Sequence, residues 1–268
     1  MSTHMKRVVT AIIIIPPLIG IICFAPLPVL TLVIMVVALA SLHEFYRMIS
    51  PPVQKGLMLI TYLLSVSLFS SLILRDLLYV AILPLFVMMP LAYTLFNSGR
   101  NNPMEGDRVG LTIVGPFYVC LPLMLLVLIA RLPHGTLWVL YLLAVVFAGD
   151  TASFYVGRRL GKHRLIHVSP GKTWEGSIGG LVANTAIAGI FGSLFFPSLS
   201  LASIMVLAIG IGIAGQIGDL VESLFKRRSD QKDSGTLLPG HGGLLDRIDS
   251  LLFAIPVLYL YLGFRSLF

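Results

Sequence analysis

Residues 110–130, GLTIVGPFYVCLPLMLLVLIA, and 136–156, TLWVLYLLAVVFAGDTASFYV, are apolar runs of 21 residues each, separated only by RLPHG. About 20 apolar residues in a helix rising about 1.5 Å per residue cross the roughly 30 Å hydrocarbon core of a bilayer. Inside hydrocarbon every backbone N–H and C=O needs an internal partner, which a helix supplies. Each run therefore predicts a membrane span. Comparable runs lie at 8–25, 28–46, 57–74 and 77–96 before this pair, and at 177–196, 200–222 and 250–267 after it, making nine. Pro16, Pro17, Pro26 and Pro28 crowd the first two, and such helices tolerate proline when neighbours satisfy the freed backbone groups. The opening MSTHMKR and its apolar run have the look of a signal peptide, but no A-x-A-like cleavage site follows, so an uncleaved span is expected.

Composition agrees. Of 268 residues, 57% are apolar or aromatic and only 12% are charged, with a net charge of +7. Soluble domains carry about 25% charged residues, enough to cover a surface that this chain could not cover. A soluble globule, a disordered chain, collagen and a small disulfide scaffold are all excluded. Cys23 and Cys120 sit in apolar stretches with no metal-type spacing and are expected to pack as small hydrophobes.

Lys and Arg concentrate in cytoplasmic loops of membrane proteins. With nine spans, sixteen of the nineteen basic residues fall on the side of the N-terminus, and only Arg75, Arg131 and Arg265 fall on the other. The N-terminus is accordingly expected to be cytoplasmic. The expectation is an all-α polytopic protein forming one transmembrane domain over 1–268. Its N-terminal spans occupy 1–130, and its chemistry lies in 136–268 with the cytoplasmic loops 157–176 and 223–249.

Ionisable residues within spans are costly and usually face a cavity or a partner. Asp150 lies in the sixth span. Asp219 and Glu222 end the eighth, and Asp246 and Asp249 open the ninth, each pair at the i, i+3 spacing that shares a helix face. Singly, these acids could form ion pairs or helix caps. Gathered around one loop, they suit Mg²⁺, which takes hard oxygen ligands from a few carboxylates together with substrate phosphates. PGHGG (239–243) combines backbone freedom with a following helix N-terminus, a combination that cradles anionic oxygen, and His241 adds a donor or an acid–base group. SPGKTWEG (169–176) supplies Lys172 and Thr173 as donors and Glu175 as a further acid, with Trp174 as an interfacial anchor. Gly176 with Gly180, and Gly210 with Ala214 and Gly218, form small-residue faces for close helix packing. His43 and Glu44 stand apart and are expected to form a local hydrogen-bonded pair or a headgroup contact. From these residues alone the chemistry is Mg²⁺-dependent transfer on a phosphate-containing lipid.

Residues 223–249, SLFKRRSDQKDSGTLLPGHGGLLDRID, resemble the signature of the phosphatidate cytidylyltransferases (CDP-diacylglycerol synthases). Ser223, Lys226, Arg227, Lys232, Asp233, His241, Gly242, Gly243, Asp246, Arg247 and Asp249 all fall in its register. The SPGKTWEG segment and Asp150 with its neighbours are also similar to elements of that family. The resemblance implies the reaction CTP + phosphatidate → CDP-diacylglycerol + pyrophosphate with Mg²⁺, at the cytoplasmic face of the cytoplasmic (inner) membrane. It implies a cation held by Asp219 and Asp246 with Asp249 nearby, and the surplus of carboxylates leaves room for a second cation. Lys226, Arg227, Lys232 and Arg247 would neutralise charge, and His241, Gly242 and Gly243 would contact phosphate. Ser223 and Asp150 would line the substrate site, and Lys172 and Thr173 would hold either nucleotide or lipid phosphate. The expected partners are CTP, phosphatidic acid and the bilayer, with a homo-oligomer allowed and no nucleic acid. A transporter with intramembrane acids is the competing class, but most of the acids gather at one surface and nine spans do not divide into equal halves. The DGxxAR-type motif of CDP-alcohol phosphotransferases is absent.

Overall fold

The structure is a computed structural model that describes residues 16–49, 53–74, 77–97, 105–229, 231, 234–235 and 242–265. Nine α-helices account for most of them: α1 (16–24), α2 (Leu27–Met48), α3 (Lys55–Ile73), α4 (Leu78–Asn97), α5 (Glu105–Arg131), α6 (Gly135–Leu160), α7 (Trp174–Phe195), α8 (Leu201–Arg228) and α9 (Leu245–Arg265). Helices α2 to α9 are each long and apolar enough to cross a membrane. They match the expected spans from 28–46 onward, whereas residues 8–15 of the first span lie outside the described residues.

The helices outrun the apolar runs that announced them. α6 continues to Leu160, α8 to Arg228, and α9 begins at Leu245. Hydropathy marks where the hydrocarbon stops, not where the backbone ladder stops. Lys226 bonds Glu222 at 2.6 Å, an i, i+4 pair that supports the polar extension of α8. With 28 residues, α8 is about 42 Å long against a core of about 30 Å, so its charged end stands outside hydrocarbon.

Packing divides the chain into two units, one of Met1–Val127 and Arg228–Asp246, the other of Leu128–Arg227 and Arg247–Phe268. In the first, Leu42, Phe45, Leu57, Phe69, Val119 and Cys120 are buried. The Tyr46 hydroxyl ties three helices together, lying 2.9 Å from the Thr112 carbonyl and 3.0 Å from Thr61 Oγ1 and sharing its one proton between these two acceptors. Cys120 is a free thiol beside Ser65 Oγ, as its apolar context led us to expect. α4 buries little, and Leu78, Val80, Met88, Leu91 and Leu95 point outward, as suits a lipid-facing helix.

The second unit is built on an α6–α7 seam. A Cβ on Gly176 would lie 2.7 Å from the Ser153 carbonyl oxygen and 3.1 Å from the Gly157 Cα. One on Gly180 would lie 3.0 Å from the Gly149 carbonyl oxygen, so the small-residue face does bring the backbones together. Farther along, Trp138 stacks on Phe196 with centroids 4.2 Å apart, and the Tyr141 hydroxyl donates to the Ile204 carbonyl at 2.8 Å.

Gly176→Val is expected to lower the thermal midpoint of detergent-purified protein through an overpacking cost of about 1–3 kcal/mol. Gly189 in the same helix has nothing within 4 Å, so Gly189→Ala is expected to leave the midpoint unchanged or raise it. Thermal denaturation followed by intrinsic fluorescence checks both.

Candidate active site

The charged end of α8 is placed by a glycine. A Cβ on Gly218 would strike the Asp249 carbonyl, whose carbon would lie 3.3 Å away, so α8 and α9 approach there at backbone distance. Asp219 and Glu222 then meet Asp249. One carboxylate oxygen from each of the three lies within 4.8 Å of the other two. Glu222 and Asp249 are 0% and 8% exposed, so repulsion among these charges is poorly screened.

Two lysines offset part of that repulsion. Lys172, from the α6–α7 connection, pairs with Asp219, and Lys226 pairs with Glu222. Asp249 Oδ1 accepts from the Ser250 N–H at 2.7 Å. Asp150, exposed on α6, stands beside the Ser250 hydroxyl and within electrostatic reach of Asp219 and Lys172.

Mg²⁺ holds oxygens at about 2.0–2.1 Å, which puts neighbouring ligands about 3 Å apart and opposite ones about 4.2 Å apart. Three hard oxygens within 4.8 Å from two helices meet that demand with small side-chain movements. Carboxylates without sulfur or imidazole suit a hard cation.

The α6–α7 connection is ordered by its own sequence. In SPGK, Lys172 N–H closes a turn on the Ser169 carbonyl at 3.1 Å with Pro170 at the second position. Leu165 N–H donates to the Lys172 carbonyl at 2.9 Å, and Trp174 N–H to the His163 carbonyl at 3.0 Å, closing the connection into a short hairpin. Thr173 caps α7, its Oγ1 accepting from Gly176 N–H at 3.1 Å. Glu175 accepts from the Lys162 and His163 N–H groups at 3.1 and 3.3 Å and pairs with His163 Nδ1 at 2.6 Å. Thr173 and Glu175 thus shape the connection that carries Lys172.

In the other unit, the Asp246 carboxylate accepts from Ser234 N–H at 3.0 Å and from Gly243 N–H at 2.8 Å. Gly242 has φ 80°, the left-handed region that glycine enters without penalty. A Cβ on Gly243 would lie 2.7 Å from Glu44 Oε2, so this glycine packs against a carboxylate. Ser223 and Lys226 are partly exposed, and Arg227 and Arg247 are exposed. Lys232, Asp233 and His241 lie outside the described residues. His43 bonds the Tyr62 hydroxyl at 3.0 Å rather than Glu44.

The structure thus groups Asp219 with Asp249 and adds Glu222, which the sequence placed on the right face but outside the metal set. Its i, i+3 relation to Asp219 was the signal available.

Helices long and apolar enough to cross a bilayer, with a lysine-flanked carboxylate cluster that could hold a metal ion, define an integral membrane protein with a candidate metal site. Residues 5–265 match the profile of the Cytidylyltransferase family. The chain is 33% identical over 243 residues to a phosphatidate cytidylyltransferase of Bacillus subtilis (strain 168), covering 88% of this chain and 89% of that protein. It is 39% identical over 175 residues to a phosphatidate cytidylyltransferase of Staphylococcus haemolyticus (strain JCSC1435), 64% of this chain and 65% of that protein. It is also 46% identical over 134 residues to that of Brucella suis biovar 1 (strain 1330), 48% of each chain. The chain belongs to the cytidylyltransferase family and is a nucleotidyltransferase of the membrane.

Loss of the α7 cap in Thr173→Ala is expected to cost about 1 kcal/mol of stability, and Thr173→Ser is expected to restore it. Thermal midpoints of the two variants give the comparison.

Proposed function

We propose that this enzyme transfers CMP from CTP to phosphatidic acid with Mg²⁺, forming CDP-diacylglycerol and pyrophosphate for phospholipid synthesis. The observation that carries this reading is the cluster of Asp219, Glu222 and Asp249, two of them buried, in a chain whose relatives are phosphatidate cytidylyltransferases. Asp246 is retained in the metal set on the DRID pattern of the sequence.

A phosphatidate oxygen bonds to the α-phosphorus of CTP, and the bond from that phosphorus to the bridging oxygen of the β-phosphate breaks. The phosphate is already ionised, so no strong general base is needed. The obstacle is repulsion between two anions. Asp219, Glu222 and Asp249 would hold Mg²⁺, which would supply neutralising charge for the triphosphate and for the departing pyrophosphate. Lys172 and Lys226, now paired to those carboxylates, are the cations nearest to hand once the carboxylates turn to a metal. Both would then neutralise phosphate oxygens. Arg227, Lys232 and Arg247 add positive charge, while Ser223, His241 and Gly242 present donors.

Sixteen of the nineteen basic residues share one side of the predicted topology. On that asymmetry the N-terminus and the site face the cytoplasm, in the inner membrane of a bacterium. CTP arrives from water and the lipid from the bilayer.

Purified protein with Mg²⁺ and phosphatidate is expected to move label from CTP into lipid, and removal of the metal by a chelator is expected to stop it. Asp219→Asn and Asp246→Asn are each expected to lower turnover at least about 100-fold with the thermal midpoint preserved. Glu222→Gln is expected to raise the Mg²⁺ concentration needed for half-maximal rate. Near-normal turnover in both Asp variants would refute the metal assignment.

A further inference from the structure

Glu44, near the end of α2, is 2% exposed. Buried carboxylates are ordinarily matched by a cation or by several donors. Glu44 Oε2 takes backbone and hydroxyl donors from the far end of the chain. Leu245 N–H donates to it at 2.8 Å across 201 positions, and Ser234 Oγ at 3.3 Å across 190.

Leu245 is the first residue of α9, and its N–H has no partner inside that helix. Such a group is normally satisfied by the residue just before the helix. Here a carboxylate from another helix does so, and its charge also complements the helix dipole. Gly235 and Gly243 close on the same carboxylate. A Cβ on Gly235 would lie 2.8 Å from Glu44 Cδ, and one on Gly243 would lie 2.7 Å from Oε2.

These contacts converge on Asp246. Its carboxylate is held by the N–H groups of Ser234 and Gly243, and both residues pack on Glu44. We propose that Glu44 is a positioning residue for nucleotidyl transfer: it caps α9 and, through Ser234 and Gly243, fixes the orientation of the Asp246 carboxylate. This rests on the role proposed above for Asp246.

The test uses full-length protein in detergent with three readouts: amide hydrogen exchange over 242–249, kcat and KM for CTP, and the Mg²⁺ half-saturation point. Glu44→Ala is expected to lose exchange protection at Gly243 and Leu245. It should also lower kcat about 10–100-fold and raise the Mg²⁺ requirement, with CTP KM little changed. Glu44→Gln keeps the reach and an acceptor oxygen, so it should retain most of the activity and protection. Glu44→Asp, one methylene short, should resemble Ala. Ser234→Ala removes only the hydroxyl link and should cause a smaller loss of kcat in the same direction, which keeps the test open if Glu44→Ala does not fold.

Unchanged kcat in Glu44→Ala or Ser234→Ala, with wild type active and Asp246→Asn impaired, overturns the proposal. So does equal impairment of the Gln and Ala variants with undisturbed exchange at Leu245. A wild type without CTP turnover, or a fully active Asp246→Asn, instead sinks the reading of the reaction on which the proposal rests.

Discussion

Like charges held close together need something to hold them, and here it is the contact between α8 and α9 at Gly218. Two unit charges 4 Å apart repel by about 4 kcal/mol at the effective dielectric of a protein near its surface. Asp219, Glu222 and Asp249 approach nearly that closely because Gly218, lacking a side chain, lets the backbones of α8 and α9 meet. Lys172 and Lys226 offset part of the repulsion. Lysine is a flexible point charge that gives up a carboxylate readily when a better partner comes. Repulsion held by packed helices and offset by paired lysines is an arrangement that, on the proposed reading, a divalent ion and a polyphosphate would take over together.

The membrane places strict terms on everything else. Lipid tails are as apolar as leucine, so helices gain little from burying apolar faces against one another. They associate through close packing and internal polar bonds. The glycines at 149, 157, 176 and 180 let α6 and α7 touch, and Tyr46 joins three helices through one hydroxyl.

Much of this was legible in the sequence because the signals are local. Hydropathy located eight of the helices that the structure describes, since span length follows from bilayer thickness. Gly218 one residue before Asp219 announced a close approach with an acid beside it. The helix ends were less legible, because polar residues such as Lys226 extend a helix without adding hydropathy. Glu44 was misread as a local or headgroup contact. Its partners, Ser234 and Leu245, lie some 200 positions away, and nothing in HEFYRM indicates which distant backbone it meets. Thr173, read as a phosphate contact beside Lys172, also caps the helix that it begins, its oxygen accepting from Gly176 N–H while the hydroxyl proton stays available to donate. Donor chemistry alone does not separate those roles.

The overhang of α8 has a kinetic consequence. Its apolar length ends near Gly218, after about the number of residues that cross a hydrocarbon core, and the acids follow directly. Under the proposed reaction, catalysis at that height would act on a phospholipid still embedded in its own leaflet, with no extraction step. Supply of that substrate would then be two-dimensional. Turnover would track the mole fraction of acceptor lipid in the sheet rather than its amount per litre, and diluting the sheet with inert lipid would slow the enzyme even at constant total substrate.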